Sequence, residues 1–201
     1  MWRPRAGPEV PEPVQIVLTC ILPGPERSAD DVVKGVRAMF RNESTRRTEV
    51  NLNELIEQVL VLTARTMDSS NVVLQTSLTD DPPLIVTVDP VQMQQVILNL
   101  VVNSIEAIVA SGHEKRIVRI ETWIDEAGSV VLTVTDSGPG FDSKVAGSLF
   151  APFVSTKPSG MGMGLSICKS IVERHGGKLT AKSAAPSGAV FQVVLPTDGA
   201  S

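Results

Sequence analysis

The chain has 201 residues, of which 42% are hydrophobic and 20% charged, and its formal net charge is −4. Such a chain can bury one full core, so we expect one ordinary domain with some additional sequence. This net negative charge does not indicate the basic surface that binds nucleic acid, so no nucleic-acid partner is expected. Cys20 and Cys168 lie far apart without metal-ligand spacing, which is typical of reduced thiols in a cytoplasmic protein.

The first 27 residues are rich in proline and hold six of the fourteen prolines of the chain. Proline removes a backbone donor and fixes φ, so this segment is predicted to be irregular. Its apolar run 14–22 is about half as long as a membrane span, is flanked by prolines and lacks a signal-peptide cleavage pattern. We therefore expect no membrane segment in this chain.

A helix is predicted to begin near Ser28, a suitable N-cap, and to run to about residue 42. Its apolar positions form one stripe: Val32, Val33, Val36, Met39 and Phe40. That stripe could pack on its own domain or on a second chain. A polar linker then extends to residue 49.

The remaining pattern alternates helices with strands. Helices are predicted at 50–67, with Asn51 or Asn53 as cap, at about 90–110, and at 161–175, where two glycines stop the helix. Strands are predicted at 71–78, 83–88, 116–124, 129–135, 178–184 and 189–196, with a loop-rich region over 136–160. Because several strand pairs have hairpin-length connections, we expect a two-layer α/β sandwich with a mixed sheet rather than a doubly wound fold.

The predicted helix 90–110 carries polar residues at helical spacing. Asp89 can cap it and Pro90 suits its first position. Asn99 and Asn103 are four residues apart, hence on one face, and Glu106 lies on nearly the same face. Amide oxygens suit Mg²⁺ when nucleotide phosphates and water complete its ligands. Taken alone, these residues are more typical of the solvent side of an amphipathic helix.

Two glycine-rich stretches follow. In "VTDSGPGF", Asp136 leaves an apolar strand and is followed by Gly138 and Gly140, an arrangement that could bind an exocyclic amine or could be an ordinary strand exit. In "PSGMGMGLSI", three glycines precede a helix whose N-terminus would suit phosphate: Gly160, Gly162 and Gly164. Lys157 stands just upstream. The stretch matches neither a Walker A nor a Rossmann pattern, so on its own it could be a hinge.

Four motifs occur in order: "QQVILNLVVNSIEA", "DSGPG", "LFAPFVSTKPSG" and "GMGMGLSI". They resemble the N box, first glycine box, F box and second glycine box of the ATP-binding domain of sensor histidine kinases, in the gyrase, heat-shock chaperone, histidine kinase and MutL superfamily. The residues of these motifs are similar to those of the oxygen- and dicarboxylate-sensing group of kinases, and the resemblance covers about 50–197. It implies an α/β fold of Bergerat type, a two-layer sandwich whose mixed sheet is covered by helices on one face.

The resemblance also implies roles for single residues. Asn103 would bind Mg²⁺, Asn99 would face the phosphates, and Asp136 would accept from the adenine amine. The implied catalytic residues are Asn99, Asn103 and Lys157. The implied ATP-binding residues are Asn103, Asp136, Gly138, Gly140, Lys157, Gly160, Gly162, Gly164 and Leu165.

Two positions qualify the implied chemistry. ATP-hydrolysing members of the superfamily have a glutamate four residues before the metal asparagine, whereas this chain has Asn99, a poor base. We therefore expect phosphotransfer with slow ATP turnover rather than hydrolysis. The family usually has a hydroxyl residue just before the phenylalanine of the last strand. The valine at that position, Val190, leads us to expect weaker adenine binding.

The phosphoacceptor histidine of the family is not recognisable here. Neither His113 nor His175 stands in an acceptor setting, and residues 28–49 resemble only the second helix of the dimerisation hairpin and its linker. A shortened chain, a gene fragment or frame shift, and natural action in trans would each explain this.

The predicted organisation is an irregular segment 1–27, a partial dimerisation helix with linker 28–49, a kinase domain 50–197 and a tail 198–201. Expected partners are a histidine-bearing hairpin in cis or trans, a response-regulator receiver domain and a second copy joined through helix 28–42. The function expected is transfer of the ATP γ-phosphate to a histidine outside the chain, in the cytoplasm. An ATP-gated regulatory module and an anti-sigma-type serine kinase are the alternatives.

Overall fold

The structure is a computed structural model that describes residues 46–112, 114–142, 145, 148–152, 162–185 and 187–197. Its elements in chain order are β1 (Thr48–Asn51), α1 (Leu52–Ser69), β2 (Val73–Leu78), β3 (Ile85–Val88), α2 (Pro90–Ser111), β4 (Ile117–Ile124), β5 (Val130–Asp136), α3 (Gly164–Arg174), β6 (Lys178–Ser183) and β7 (Ala189–Leu195). The three helices and six strands predicted within this region are thus all present.

Five strands form one mixed sheet in the order β2-β4-β5-β7-β6. The β2–β4 pair is parallel and the other three pairs are antiparallel. The core side chains of the sheet alternate along each strand, as Leu132 and Val134 do on β5, and they pack with buried residues of all three helices. On the other face, side chains such as Arg119 and Trp123 are exposed. This confirms the expected two-layer α/β sandwich with helices on one face.

A second, two-stranded sheet corrects the sequence analysis. Residues 48–51 form β1, paired antiparallel with β3 from Thr48↔Val88 to Asn51↔Ile85, where a linker and a helix start were predicted. Four residues with polar neighbours carry too little alternation to reveal a strand whose partner lies more than thirty residues away. Asn51 then caps α1, since its Oδ1 accepts from Asn53 N–H at 3.0 Å.

The central helix α2 is apolar because it is the core helix. It is the one helix among the described residues that is long and apolar enough to cross a membrane, and 67% of its apolar window is buried inside the domain. Its fully buried residues include Met93, Ile97, Leu100 and Ile108. A helix buried on this scale is hydrophobic around most of its circumference, so its composition reflects packing.

The start of α2 is fixed by a cap that differs in detail from a capping box. Asp89 Oδ1 accepts from Gln92 N–H at 3.1 Å, as predicted, but the Gln92 amide donates to Asp89 Oδ2. The backbone N–H of Asp89 donates instead to His175 Nε2 at 3.0 Å. The end of α3 therefore accepts a hydrogen bond from a backbone N–H at the beginning of α2, and this contact fixes the two helices relative to each other.

Candidate functional site

The site residues come from α2, the end of β5 and the start of α3. A Cβ built on Gly138, just after β5, would lie 3.3 Å from Ala107 of α2, and one on Gly164 would lie 2.8 Å from Asn99 Nδ2. The turn after β5 and the start of α3 therefore both contact α2. The fold brings together the asparagines, Asp136 and the second glycine box, which are far apart in the chain.

Asn99 and Asn103 form one connected pair on α2. Asn103 Nδ2 donates to Asn99 Oδ1 at 3.3 Å, which confirms that they share a face. Asn99 is buried and Asn103 is half-buried. The amide nitrogen of Asn99 donates to Cys168 Sγ at 3.0 Å, so α3 fixes which end of the Asn99 amide faces Asn103.

Cys168 is a buried thiol that functions as an acceptor for Asn99. Burial raises its pKa to about 12, and the Asn99 bond lowers it by less. The thiol is therefore protonated at neutral pH and lacks the exposed, electropositive setting of a reactive cysteine. Within the described part of the chain it is a free cysteine, as the sequence predicted.

Asp136 is a buried carboxylate at the end of β5. It is 4% exposed, and its Oδ1 accepts from Gly138 N–H at 2.8 Å and from Ala189 N–H at 3.2 Å. Burial raises its pKa, while these two bonds and the nearby Ser104 hydroxyl oppose that rise. Both backbone donors engage one oxygen, which leaves the other to accept from a ligand.

Gly188 is a site residue that the sequence analysis did not identify. It lies at φ +112° directly before β7, and a Cβ there would collide with the carbonyl oxygen of Asp136. A Cβ on Gly140 would lie 2.5 Å from the Gly188 carbonyl oxygen. Only glycine admits this approach, which brings the Ala189 N–H to Asp136. No sequence signal in "SGAVF" indicates it, because the partner backbone is about fifty residues upstream.

The start of α3 lies beside Asn99. Gly162 has φ +66°, and Met163 at the N-cap provides no side-chain hydrogen bond to the first turn. The N–H groups of that turn carry the positive end of the helix dipole, a setting that suits an anion. Leu165 is half-buried and packs against the core, so its side chain anchors the turn.

Val190, the position expected from sequence to weaken adenine binding, lies on the face of the sheet opposite Asp136. Ala189 and Phe191 are buried on the helix-covered face, and Val190 between them points to the opposite face. Side chains alternate along a strand, so the residue nearest Asp136 is Ala189. The position of Val190 therefore gives no support to the expected weakening of adenine binding, which stays a prediction.

His175 has a structural environment. It is 4% exposed, its Nδ1 lies 2.8 Å from the Ile171 carbonyl oxygen, and its Nε2 accepts from Asp89. With both ring nitrogens engaged inside the protein, it cannot receive a phosphoryl group. The predicted absence of a phosphoacceptor role at His175 fits this geometry.

Other predicted residues lie outside the described residues. These are Lys157, Gly160, His113, Cys20, helix 28–42 and the tail 198–201.

The donors present fit Mg²⁺ only if the ligand supplies most of the coordination. No group of three or more His, Cys, Asp or Glu side chains could hold a metal in the part of the chain that the structure describes. Asn103 carries a hard amide oxygen one turn along α2 from Asn99, which lies beside the start of α3. An ion that keeps several waters and binds phosphate oxygens matches that sparse set.

One family model matches residues 88–199, that of the histidine kinase-, DNA gyrase B- and HSP90-like ATPases. Among curated relatives, the chain is 40% identical over 169 residues to sensor protein FixL of Bradyrhizobium diazoefficiens, covering 84% of the chain and 33% of the relative. It is 35% identical over 169 residues to sensor protein TdiS of Thauera aromatica, covering 84% and 31%. The chain therefore spans about a third of the length of these relatives.

Two solved histidine kinase structures are similar to this chain. The nucleotide-free catalytic domain of histidine kinase ThkA has a TM-score of 0.66 and 36% identity, over 75% of this chain and 95% of that one. The mycobacterial sensor histidine kinase MprB has a TM-score of 0.65 and 27% identity, over 75% and 97%. The resemblance found in the sequence is thereby confirmed at the level of fold.

Proposed function

The chain belongs to the histidine kinase-, DNA gyrase B- and HSP90-like ATPase family and contains the ATP-binding catalytic domain of a sensor histidine kinase, and on that premise we propose how it binds ATP and where the phosphate goes. ATP is bound with its adenine at Asp136 and its phosphates at the start of α3. The γ-phosphoryl group passes to a histidine that another segment or chain supplies.

The buried carboxylate of Asp136 is the observation that carries this proposal. An ionised, acceptor-only group in an apolar enclosure is costly unless a donor completes it. The exocyclic amine of adenine is such a donor. Gly138 lies between Asp136 and α2, where a Cβ would be 2.9 Å from Asp136 Oδ1, so the backbone here can approach a flat base closely.

We place Mg²⁺ at the Asn103 amide oxygen, with Asn99 facing the phosphates. When bound, the ion would neutralise charge on the β- and γ-phosphates. Phosphoryl transfer needs mainly positioning and charge neutralisation from the protein. The dipole of α3 contributes from one side, and we assign Lys157 and the loop from Gly160 to Gly164 to the part that closes over the phosphates.

Transfer, rather than hydrolysis, is supported by Asn99. An amide does not deprotonate water, and its nitrogen is engaged with Cys168. A longer glutamate would have to fit beside Gly164, where a Cβ built on that glycine would already lie 2.8 Å from the Asn99 amide nitrogen. The site is therefore built without a base at this position.

We also propose the wider organisation given by the sequence. Residues 48–197 form the kinase domain, because β1 pairs with β3 within it; residues 28–47 form a partial dimerisation helix and linker, and 1–27 and 198–201 lie outside the domain. The linker is joined to the domain by Arg47, whose guanidinium donates to the Arg174 carbonyl oxygen at the end of α3. A second copy, a histidine-bearing hairpin and a response-regulator receiver domain are the proposed partners, in the cytoplasm.

Transfer of label tests this function. The full chain is incubated with γ-³²P-ATP, Mg²⁺ and a purified histidine-bearing dimerisation hairpin, and the hairpin's label is measured before and after acid treatment. We expect acid-labile label, with slow ATP turnover when the hairpin is omitted. The control is the same hairpin with its histidine changed to alanine.

Two results would overturn the proposal. Fast hydrolysis by the chain alone would contradict the role given to Asn99. Acid-stable label on the wild-type hairpin would indicate a hydroxyl acceptor and hence a serine kinase.

A further inference from the structure

Strand β2 forms one edge of the five-stranded sheet, and β6 forms the other. The residues of β2, "VLQTSL", include neither a charged residue nor a proline. Val73 is 57% exposed, and Thr76 in the middle of the strand is exposed as well. Edge strands of native proteins usually carry charges, proline or a covering segment that prevents pairing with another chain. The β2 edge lacks the first two of these features.

The hydrogen bonds between β2 and β4 show which backbone groups of β2 face outward. The two strands are parallel, and Val73 N–H donates to the Arg116 carbonyl oxygen of the β4 side at 2.8 Å. In a parallel ladder the N–H and C=O of one residue point to the same side, and successive residues alternate between the two sides. The backbone groups of Leu74, Thr76 and Leu78 therefore point away from the sheet. Within the described part of the chain, they form no hydrogen bond.

The opposite edge, β6, has features that hinder pairing. Its residues include two exposed lysines, Lys178 and Lys182. Ser183 Oγ at the end of β6 accepts from Phe141 N–H at 3.2 Å, which brings the loop after β5 against this end of the strand. The difference between the two edges identifies β2 as the edge at which another strand can be added.

The outward groups of β2 are complementary to those of a second β2 strand. They are spaced evenly around Thr76, so a two-fold axis at that residue pairs Thr76 with its own copy and Leu74 with Leu78 in an antiparallel ladder. At the hydrogen-bonded positions of such a ladder each residue both donates and accepts. A two-fold axis at Gln75 would instead bring together backbone groups that already face β4. The strand itself therefore determines the register of pairing.

The side chains are complementary in the same register. Leu74 and Leu78 are half-buried and pack against the core, so the leucine pairs would continue the apolar layer from one copy into the other. The exposed Asp80 follows β2 at one end. At the other end lies the Arg116 guanidinium, which donates to the Ser70 carbonyl oxygen at 2.8 Å. Antiparallel pairing brings these two ends together, so opposite charges face each other.

We propose that the β2 edge is a self-association surface, where a second copy of this chain pairs through Val73–Leu78 about a two-fold axis at Thr76. The helices of both copies then lie on the same face of one continuous sheet. Six residues are far fewer than the roughly 20–30 a side of a standard interface, so the association is weak and depends on concentration. The surface uses no residue assigned to ATP binding or to the predicted helix 28–42.

Opposite charges at Thr76 test this register. Sedimentation velocity of the full chain is measured over a wide range of protein concentration, and the sedimentation coefficient of wild type should rise with concentration. Thr76→Lys and Thr76→Glu each place like charges opposite each other, which should raise the dissociation constant by about fivefold. An equal mixture of the two variants should associate at least as tightly as wild type, because lysine then faces glutamate.

Two controls separate pairing from charge and from folding. Ser170→Lys makes the same change of charge at an exposed position on α3 and should associate as wild type does. The thermal midpoints of both Thr76 variants should stay close to that of wild type, because the side chain is exposed. Recovery in the mixture also shows that each variant is folded.

Three results would overturn the inference. The first is a sedimentation coefficient of wild type that does not change with concentration. The second is unchanged association of Thr76→Lys, which would place self-association at another surface, such as the predicted helix 28–42. The third is weaker association of both variants without recovery in the mixture, which would show that the β2 edge does not pair with its own copy at Thr76 and binds a different segment.

Discussion

The side-chain amide of Asn99 donates to the thiol of Cys168 at 3.0 Å, which joins the middle of α2 to the second turn of α3. One turn earlier on α3, Gly164 abuts the same amide. Asn99 is therefore the point where the helix carrying the metal-site asparagine meets the helix that begins at the phosphate loop. A shift of α3 must move Asn99 or break this bond.

Gly164→Ala should disturb Asn99 more than the helix. A Cβ would lie 2.8 to 3.3 Å from three atoms of the Asn99 amide, and overpacking of this kind costs about 1–3 kcal/mol. We expect that loss of unfolding free energy in urea denaturation, together with weaker nucleotide binding. In Gly164→Ala/Asn99→Ala the stability loss should be smaller than the sum of the single losses. Strict additivity would contradict the proposed contact.

Cys168 should be unreactive in the native protein. With a pKa of about 12, its thiolate fraction at pH 8 is about 10⁻⁴. In a Cys20→Ser background, we expect labelling by iodoacetamide at pH 8 to require denaturant, with nucleotide binding unchanged by the Cys20 substitution. Rapid labelling of the native protein, matching that of a free thiol, would show that Cys168 is neither buried nor bonded to Asn99.

His175→Ala should destabilise the domain without changing how it binds nucleotide. The substitution leaves the half-buried Asp89 N–H without its protein acceptor and opens a cavity at the end of α3, so we expect a loss of about 2–4 kcal/mol of unfolding free energy. The nucleotide dissociation constant, measured well below the melting temperature, should stay within about twofold. Ser170→Ala, at an exposed position on α3, is the control and should be close to wild type in both. Phosphorylation of His175 in the native protein would refute this role.

The pH dependence of Asp136 should differ in sign between binding and folding. Because burial raises the pKa of Asp136, nucleotide affinity should fall on acidification at a higher pH than an ordinary aspartate would give. The contribution of Asp136 to folding stability runs the other way. It is fully present below the unfolded-state pKa and is lost as pH rises through the raised folded-state pKa, since the native state holds the proton more tightly.

Nucleotide affinity is measured by calorimetry, and unfolding free energy by urea denaturation, across the acid range for wild type and Asp136→Asn. The difference between the two proteins isolates each pH dependence. The asparagine variant should lack them. An affinity that is flat down to the pKa of an exposed aspartate would contradict the buried environment of Asp136.

Much of this fold is predictable from local pattern. The long helices and the β4–β5 hairpin follow from periodicity and turn residues, and the Asp89 cap follows from its spacing to Gln92. The strand β1 does not, because its stability comes from pairing with β3 rather than from its own four residues. The sequence places Asn99 and Asn103 on one face, but not the contact of Asn99 with Cys168.

The residues of the functional site were likewise predictable only in part. Asp136, Gly138 and Gly140 are visible as a motif because they are adjacent in the chain. Gly188 is not visible, since it matters only through Asp136, about fifty residues upstream. The face on which Val190 lies could not be predicted, because a one-residue shift along a strand reverses its side chain.

The most direct measurement is the affinity of the full chain for ADP, wild type against Asp136→Asn, by titration calorimetry at pH 7.5. The amide has the shape of the carboxylate and can keep the bonds from Gly138 and Ala189, yet it turns a donor toward the adenine amine. We predict an affinity lower by on the order of 100-fold, with an unfolding free energy equal to or above that of wild type, because a buried charge is removed. Equal affinity in the two proteins would contradict the adenine site at Asp136 and with it the function proposed for this domain.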